Sequence, residues 1–210
     1  ANAERILGAG SLNPLTGKLA DPSTAFSPVN AYGAAKAYAA HLVAAYRHHH
    51  GLHASTAILF NHESPLRPPH YVTRKISHSV AQIATGQARQ IELGPLDSQR
   101  DWGFAGDHVH AMWLMTQQAA GSDYVVATGQ SHSVREFCEL AFARVGLDYR
   151  DHVVENLAWV RRSEAAPLVG DPTKAMNMLG WRPQLDFKAL VHLMVDSDLQ
   201  LIQSGIHFQP

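Results

Sequence analysis

The sequence predicts a mixed α/β fold, in which short buried strands alternate with capped helices along 210 residues. An apolar run over 53–60 follows a long alanine-rich segment, which is typical of a buried strand after a helix. Apolar residues recur at helical spacing over 187–203, and Ser, Asp and Gly stand where such segments begin and end. The length fits one sizeable domain or two small ones.

The first thirty residues are expected to form a loop, because Gly and Pro interrupt any periodic pattern there. A helix over about 29–49 is predicted to begin at Ser27 and Pro28, which suit an N-cap and a first helical turn. The strand over 53–60 follows, and then a helix over 73–85.

In the second half of the chain, Ser133 and Glu136 form a capping-box pattern that predicts the start of a helix. The predicted elements are a strand over 91–93, a helix from a capping Asp107 to about 118, a strand over 124–128, the capping-box helix closed by Gly146, a short helix ending near 178 and a final helix over 187–203.

Composition and charge give no support for several classes of partner, although a local basic site is left open. The chain has 17 Lys+Arg and 18 Asp+Glu, so no bulk charge favours nucleic acid or an anionic membrane. No apolar run is long enough to span a membrane. Cys138 is the single cysteine, which excludes an intramolecular disulfide and suits a reducing compartment. The N-terminus lacks a signal-peptide pattern, so a cytoplasmic location is expected.

No metal site is expected. The chain has 14 histidines, but His62-Glu63 lacks a second His at the spacing of zinc proteases, and no Cys pair accompanies any His. We expect His48–His50 to form a solvated helix end, where cations are favourable against the helix dipole.

Tyr32 and Lys36 are four residues apart on the first predicted helix, so their side chains share one face. A lysine ammonium beside a phenol favours the phenolate, which makes tyrosine usable as a base near neutral pH. A solvated Tyr and Lys on an alanine-rich helix is the alternative.

Polar residues crowd the end of the predicted strand over 53–60, from Asn61 to Arg67. Ligands of open α/β sheets bind beyond the carboxyl ends of strands, so these residues are candidates for a site. The clusters 71–75 and 100–102 add cations and an aromatic side chain that suit a diphosphate. An ordinary strand-to-loop transition and solvated charge are the alternatives.

Five motifs resemble one family, the GDP-mannose 4,6-dehydratases of the extended short-chain dehydrogenase/reductases, in order and spacing. They are ILFNHESP, YVTRKI, LG…LDSQRDWG, ATGQSHSVREF and GDPTKA…LGWRP, and the resemblance extends from about Phe26 to Gly205. It implies a partial Rossmann-like, NAD(P)-binding fold that lacks its N-terminal half, plus a small α/β substrate-binding lobe. Residues 1–60 would then be the remnant of the dinucleotide-binding domain, and 61–210 mostly the lobe for the GDP-sugar.

The resemblance also implies a lyase reaction on GDP-mannose. Bound NADP takes a hydride from C4 of the mannose while a tyrosinate removes the O4 proton. Water then leaves across C5 and C6 with a glutamate as base, and the hydride returns to C6. The product is GDP-4-dehydro-6-deoxy-mannose, and NADP is regenerated.

Carried over position by position, the resemblance implies a catalytic set of Tyr32, Lys36 and Glu4. The implied NADP contacts are Tyr32, Lys36, His62 and Arg67. The implied contacts with the sugar nucleotide are Asn61, Val72, Lys75, Gly94, Arg100, Arg161 and Glu164. The family also implies a homo-oligomer, either a dimer or a tetramer.

Two departures from the family pattern lead to further expectations. No strand with a glycine-rich turn precedes Tyr32, since Gly8 and Gly10 lie in a proline-broken stretch, so we expect this chain alone to be an inactive fragment. Asn2 stands where the family has a catalytic hydroxyl, two positions before Glu4. A non-catalytic GDP-sugar-binding or oligomerisation fragment and a GDP-4-keto-6-deoxy-sugar reductase are the alternatives.

Overall fold

The computed structural model describes residues 19–28, 30–159 and 169–205. The predicted site residues Glu4, Arg161 and Glu164 therefore lie outside the described residues. The chain divides into two compact units. Among the described residues, the first unit draws on 19–28, 30–62, 100–131 and 169–184, and the second on 63–99, 132–159 and 185–205.

Helices and short strands alternate, which confirms the predicted α/β class. The helices are α1 (Ala31–His50), α2 (Val72–Ala84), α3 (Ala105–Thr116), α4 (Val134–Arg144), α5 (Thr173–Leu179) and α6 (Phe187–Gln203). The strands are β1 (Thr56–Leu59), β2 (Asn61–Glu63), β3 (Ile91–Leu93), β4 (Gln99–Arg100), β5 (Trp102–Phe104), β6 (Asp123–Val126), β7 (His132–Ser133) and β8 (Val153–Glu155). Two 3₁₀ turns, Tyr149–Asp151 and Leu157–Trp159, flank β8.

In the first unit, β1 pairs in parallel with β6, in the register Thr56 to Asp123 through Leu59 to Val126. One hydrophobic cluster joins this sheet to α3 and α5. Its members are Leu59, Ala111, Met115, Tyr124, Val126, Ala175, Leu179 and Trp181. A second cluster joins Ile58, Phe60, Val125 and Ala127 to Ala20. Apolar side chains on alternate positions of both strands thus bury the two faces of the sheet.

The start of α1 differs from the prediction. Asn30, and not Ser27, is the N-cap, because its side chain accepts a hydrogen bond from the backbone N–H of Gly33 at 2.8 Å. The helix ends at Gly51, which has a φ of 63° and so supplies the left-handed conformation of the C-cap. His48–His50 are exposed in the last turn, as expected.

The predicted cap of α3 is also wrong. The helix begins at Ala105, so Asp107 lies within its first turn. Its carboxylate instead accepts a hydrogen bond from the backbone N–H of Gln184 at 2.9 Å, and its carbonyl accepts one from the indole of Trp181 at 2.8 Å. Asp107 therefore fixes the segment after α5 to α3, a distant contact that local sequence does not reveal.

In the second unit, α2, α4 and α6 pack against one another, and β3 pairs in parallel with β8. The predicted capping box of α4 is confirmed, because Ser133 Oγ accepts from Glu136 N at 3.1 Å and Ser133 N donates to Glu136 Oε2 at 2.7 Å. The predicted bounds of α6 are confirmed as well.

A fully buried ion pair joins α2 to α6. Arg74 Nε donates to Asp198 Oδ1 at 2.9 Å, and the Ser77 hydroxyl donates to Asp198 Oδ2 at 2.6 Å. Both charged side chains have no solvent exposure. Arg74, which belongs to the cation cluster 71–75, is thus part of the core of this unit. Within the described ranges, no helix is both long and apolar enough to cross a bilayer.

Candidate functional site

Tyr32 and Lys36 lie one turn apart at the start of α1, on the same face. The Lys36 ammonium is 5.4 Å from the centroid of the Tyr32 ring, and 46% of Tyr32 is exposed. The phenol is therefore accessible, and a positive charge lies beside its ring.

His62 lies on β2 next to a second imidazole. Its Nδ1 is 2.9 Å from the Phe60 carbonyl oxygen, and its ring centroid is 5.1 Å from that of the buried His108 on α3. Burial lowers the pKa of His108 to about 4, so this imidazole is neutral at physiological pH. Gly103 leaves room for the ring, since a Cβ there would lie 2.6 Å from His108 Cε1. The imidazole of His62 is thus positioned by the Phe60 carbonyl oxygen and by the ring of His108.

Arg67 lies four residues after Glu63, past the turn that follows β2. Its Nε is 3.3 Å from Glu63 Oε2, and its guanidinium carbon is 3.7 Å from the centroid of the Tyr71 ring. Glu63 is 3% exposed and also accepts a hydrogen bond from the Thr73 hydroxyl at 2.6 Å. Arg67 is therefore a partly exposed cation in a fixed position.

Lys75 and Gly94 meet the same indole, which belongs to Trp159. Lys75 Nζ lies 4.9 Å from the Trp159 ring centroid and donates to the Glu92 carbonyl at 2.6 Å. A Cβ at Gly94 would lie 3.6 Å from Cβ of Trp159. The structure thus brings two of the predicted sugar-nucleotide contacts together around an indole that is 49% exposed. Val72 begins the same helix as Lys75 and is exposed.

The cluster 100–102 is mostly structural. Asp101 and Trp102 are 1% and 2% exposed, and only Arg100 is partly exposed. The Asp101 carboxylate accepts hydrogen bonds from Thr128, from the backbone of Gly129 and from the backbone of Gly170. Burial outweighs these bonds and raises the pKa of Asp101. Asn61 is half-buried on β2.

A cavity of about 420 Å³ lies among α1, β1 and α3. Of the predicted site residues that the structure describes, Lys36 alone lines it, together with small and apolar side chains such as Ala40, Val43 and Met115. Across the described ranges, no group of three His, Cys, Asp or Glu side chains could hold a metal ion. Cys138 is buried, and burial raises the pKa of its thiol to about 12, so it is not a nucleophile.

Sequence reasoning gave no role to Glu63, Thr73, His108 or Trp159. Glu63 and Thr73 lie in motifs that were singled out, but only their burial shows that they act on a neighbouring side chain. His108 and Trp159 lie far along the chain from the residues they contact, and no local pattern marks them.

A family model described as GDP-mannose 4,6 dehydratase matches residues 15–194. The chain is 48% identical over 179 residues to GDP-mannose 4,6 dehydratase 1 of Arabidopsis thaliana, covering 85% of this chain and 50% of the relative. It is 44% identical over 200 residues to the human GDP-mannose 4,6 dehydratase, covering 87% and 54%. The chain thus spans about half the length of the curated relatives it matches.

Solved structures confirm the partial Rossmann-like fold. RMD from Pseudomonas aeruginosa, solved with NADPH, superposes with a TM-score of 0.84 at 22% identity, covering 95% of this chain and 65% of the other. A dTDP-glucose 4,6-dehydratase from Bacillus anthracis, solved with NAD, gives a TM-score of 0.80 at 17% identity, covering 98% and 63%. At these identities the likeness establishes the fold alone.

Proposed function

Since this chain belongs to the GDP-mannose 4,6-dehydratase family, we propose that it forms part of a lyase that converts GDP-mannose to GDP-4-dehydro-6-deoxy-mannose. The observation that carries the proposal is the accessible Tyr32 phenol, with the Lys36 ammonium 5.4 Å from its ring, in a chain of this family. The relatives named for that activity are about twice as long, so the proposal concerns the whole protein of which this chain is at least a part.

We propose NADP as the cofactor, contacted by Tyr32, Lys36, His62 and Arg67. The donor set fits such a group, because the terminal nitrogens of Arg67 make no hydrogen bond with any described residue and can pair with a phosphate. In the first unit, the exposed or half-exposed phenol of Tyr32, ammonium of Lys36 and imidazole of His62 are polar groups that suit a nicotinamide ribose. When bound, NADP supplies the redox chemistry by taking up and returning one hydride.

In this mechanism Tyr32 acts as the base that removes the proton from the O4 hydroxyl of the mannose. Lys36, whose ammonium lies beside the Tyr32 ring, would donate hydrogen bonds to the cofactor ribose. We propose Glu4 as the base at C5, on the strength of its place in the family pattern; it lies outside the described residues. In this proposal Tyr32 removes the proton from the O4 hydroxyl, and Glu4 then removes the proton from C5 so that water can leave across C5 and C6.

The substrate is GDP-mannose, with the guanosine diphosphate part bound largely by the second unit. Lys75 supports this proposal, because its ammonium is held by the Glu92 carbonyl beside the exposed indole of Trp159. Such a fixed cation suits a phosphate, and the indole offers an apolar face to a base. The other proposed contacts are Asn61, Val72, Gly94, Arg100, Arg161 and Glu164.

We further propose that residues 1–60 belong to the dinucleotide-binding domain and that 61–210 bind mostly the GDP-sugar. The 210 residues contain no Gly-x-Gly-x-x-Gly turn, which supports the proposal that this stretch by itself does not turn over substrate. A single, buried cysteine supports a cytoplasmic location.

A homo-oligomer is proposed from the exposed apolar side chains of the first unit. On α1 these are Tyr38, Leu42 and Tyr46, and on α3 they are Val109, Met112 and Trp113. Several exposed apolar side chains on one helix favour a protein interface there. Light scattering on the protein expressed from its complete gene tests the proposal: a dimer or tetramer is expected, and a monomer at micromolar concentration contradicts it.

Tyr32→Phe tests the catalytic assignment in the protein expressed from its complete gene. Removing the phenol oxygen is expected to lower turnover of GDP-mannose by about 10²-fold or more. The dissociation constant for GDP-mannose should stay close to that of the wild type, because the ring is kept. Tyr38→Phe is the matched control, since it makes the same change six residues further along α1 at an exposed position.

Product formation is followed as the 4-keto sugar, and binding is measured by calorimetry. If Tyr32→Phe turned over GDP-mannose as fast as the wild type, Tyr32 would not be the catalytic base. A wild type that binds GDP-mannose but forms no keto sugar would instead favour a binding module.

A further inference from the structure

The Glu63 carboxylate lies in the interior of the second unit and faces two side chains. Oε2 accepts a hydrogen bond from the Thr73 hydroxyl at 2.6 Å and lies 3.3 Å from Nε of Arg67. Glu63 is 3% exposed, whereas about a quarter of the Arg67 side chain is open to solvent. The pair therefore links a buried carboxylate to a cation at the surface.

Stability alone gives no reason for a charge at this position. Burial raises the pKa of Glu63, and it outweighs both the hydrogen bond from Thr73 and the charge of Arg67, which act in the opposite direction. The folded protein thus disfavours the ionised carboxylate relative to the unfolded chain. A glutamine could accept the same hydrogen bond from Thr73 without that cost. What glutamine cannot supply is a negative charge beside Arg67.

Arg67 contacts its neighbours through its backbone, its Nε and one face of its guanidinium; Nε makes no hydrogen bond with any described residue and contacts Glu63 through the ion pair alone. Its backbone N–H donates to the Ser64 carbonyl at 3.0 Å, and its carbonyl accepts from Arg74 Nη1 at 3.3 Å. Its guanidinium lies against the Tyr71 ring, and Nε faces Glu63. Nη1 and Nη2 make no hydrogen bond with any residue in the described part of the chain. These two nitrogens form the fork that binds a phosphate or a carboxylate in a bidentate manner.

We propose that Glu63 is a positioning residue, whose carboxylate orients the Arg67 guanidinium so that its terminal nitrogens bind a phosphate group of NADP. This inference rests on the proposed contact between Arg67 and the cofactor. It adds that Glu63 sets the orientation of the Arg67 guanidinium in that contact. Glu63 holds the Nε edge of the guanidinium and Tyr71 supports one face, so the opposite edge points away from the carboxylate. In this proposal the buried Glu63 acts on the ligand only through Arg67.

A double-mutant cycle on NADPH binding tests the proposal in the protein expressed from its complete gene. Glu63→Gln is expected to raise the dissociation constant of NADPH about fivefold or more, and Arg67→Ala to raise it at least as much. In the Arg67→Ala background, Glu63→Gln should add less than about twofold, because the residue acts through Arg67. The constant is measured by NADPH fluorescence. Glu139→Gln, the same change at an exposed position on α4, is the control and should bind as the wild type does.

Two further measurements separate positioning from a structural role. Glu63→Gln should leave the thermal unfolding midpoint unchanged or higher, because it removes a charge whose burial is unfavourable. Arg67→Lys keeps the positive charge but loses Nε and the planar fork, so it should also weaken NADPH binding about fivefold or more. It lies in a partly exposed turn and is expected to fold even if Glu63→Gln does not.

The outcomes distinguish this inference from the proposed function. A wild type that does not bind NADPH overturns both. If Arg67→Ala binds NADPH as the wild type does, Arg67 is not a cofactor contact, and the positioning role of Glu63 is overturned as well. Normal binding by Glu63→Gln or by Arg67→Lys, or equal effects of Glu63→Gln with and without Arg67, overturns the positioning role alone.

Discussion

Replacing Asp198 by Asn should destabilise the second unit more than any surface change. Asp198 has no solvent exposure and receives hydrogen bonds from Arg74 Nε at 2.9 Å and from Ser77 Oγ at 2.6 Å, while Nη2 of Arg74 lies 2.7 Å away. The amide keeps the shape of the side chain but leaves the Arg74 guanidinium buried without a counter-charge. Breaking one partner of such a pair costs about 3–5 kcal/mol.

The assay is native-state hydrogen exchange of peptides from α2 and α6, read by mass spectrometry. Because these helices belong to the second unit, their amides report its opening free energy without requiring the whole protein to unfold in one step. A loss of about 3–5 kcal/mol corresponds to exchange that is faster by about two to four orders of magnitude.

Asp196→Asn provides the matched control on the same helix. Asp196 also forms a two-point pair with an arginine, Arg144, at 2.8 and 2.9 Å, but both side chains are exposed. Solvent screens such a pair, so exchange should stay close to that of the wild type. If Asp198→Asn changed exchange no more than Asp196→Asn does, the buried pair would contribute nothing and the reasoning would be refuted. Replacing both partners, as Arg74→Met with Asp198→Leu, should recover most of the loss.

Two further predictions concern local features. Burial lowers the pKa of His108 from an ordinary value of 6.5 to about 4, so the unfolded chain binds the proton first and stability should fall as the pH drops from about 6.5 to about 4. Thermal unfolding across this range should show the slope in the wild type and a weaker one in His108→Gln; equal slopes would contradict it. Ser133→Ala removes the acceptor for Glu136 N and should cost about 1 kcal/mol, seen as faster amide exchange at the start of α4. Unchanged exchange there would show that the capping box is dispensable.

Local patterns predicted much of the fold where the cause of an element is itself local. The apolar stripe of α6 and the capping box of α4 depend on residues a few positions apart, and both helices occur where expected. The strand predicted over 53–60 is shorter in the structure, since β1 covers only Thr56–Leu59, and a separate strand, β2, begins at Asn61 beyond the predicted end. The bounds of β1 depend on a partner far along the chain, since β1 pairs with β6. Strands of two or three residues, such as β4 and β7, have too few positions for any period to show.

In the candidate site, too, sequence predicted the features that depend on neighbouring residues and missed those that depend on burial. The spacing of Tyr32 and Lys36 predicts a shared helix face, and the structure places the two side chains together. The environment of Arg67 could not be predicted, because Glu63, Tyr71 and Arg74 reach it from a strand end and a helix start. Sequence shows that charges are present in this motif, but only burial shows which of them point inwards.

In the second unit, Arg74 links the buried ion pair with Asp198 to the backbone of Arg67. Through Nε its guanidinium is held by Asp198 in α6, and through Nη1 it donates to the carbonyl of Arg67 at 3.3 Å. The backbone of the proposed cofactor contact is thus tied to the most buried ion pair, while its side chain is tied to Glu63. An ion pair without solvent is a weak source of stability but a rigid one, since both partners must keep their geometry to remain paired. Rigidity, more than stability, explains why charged groups lie beneath Arg67: a guanidinium that is already oriented loses little entropy when it binds a phosphate.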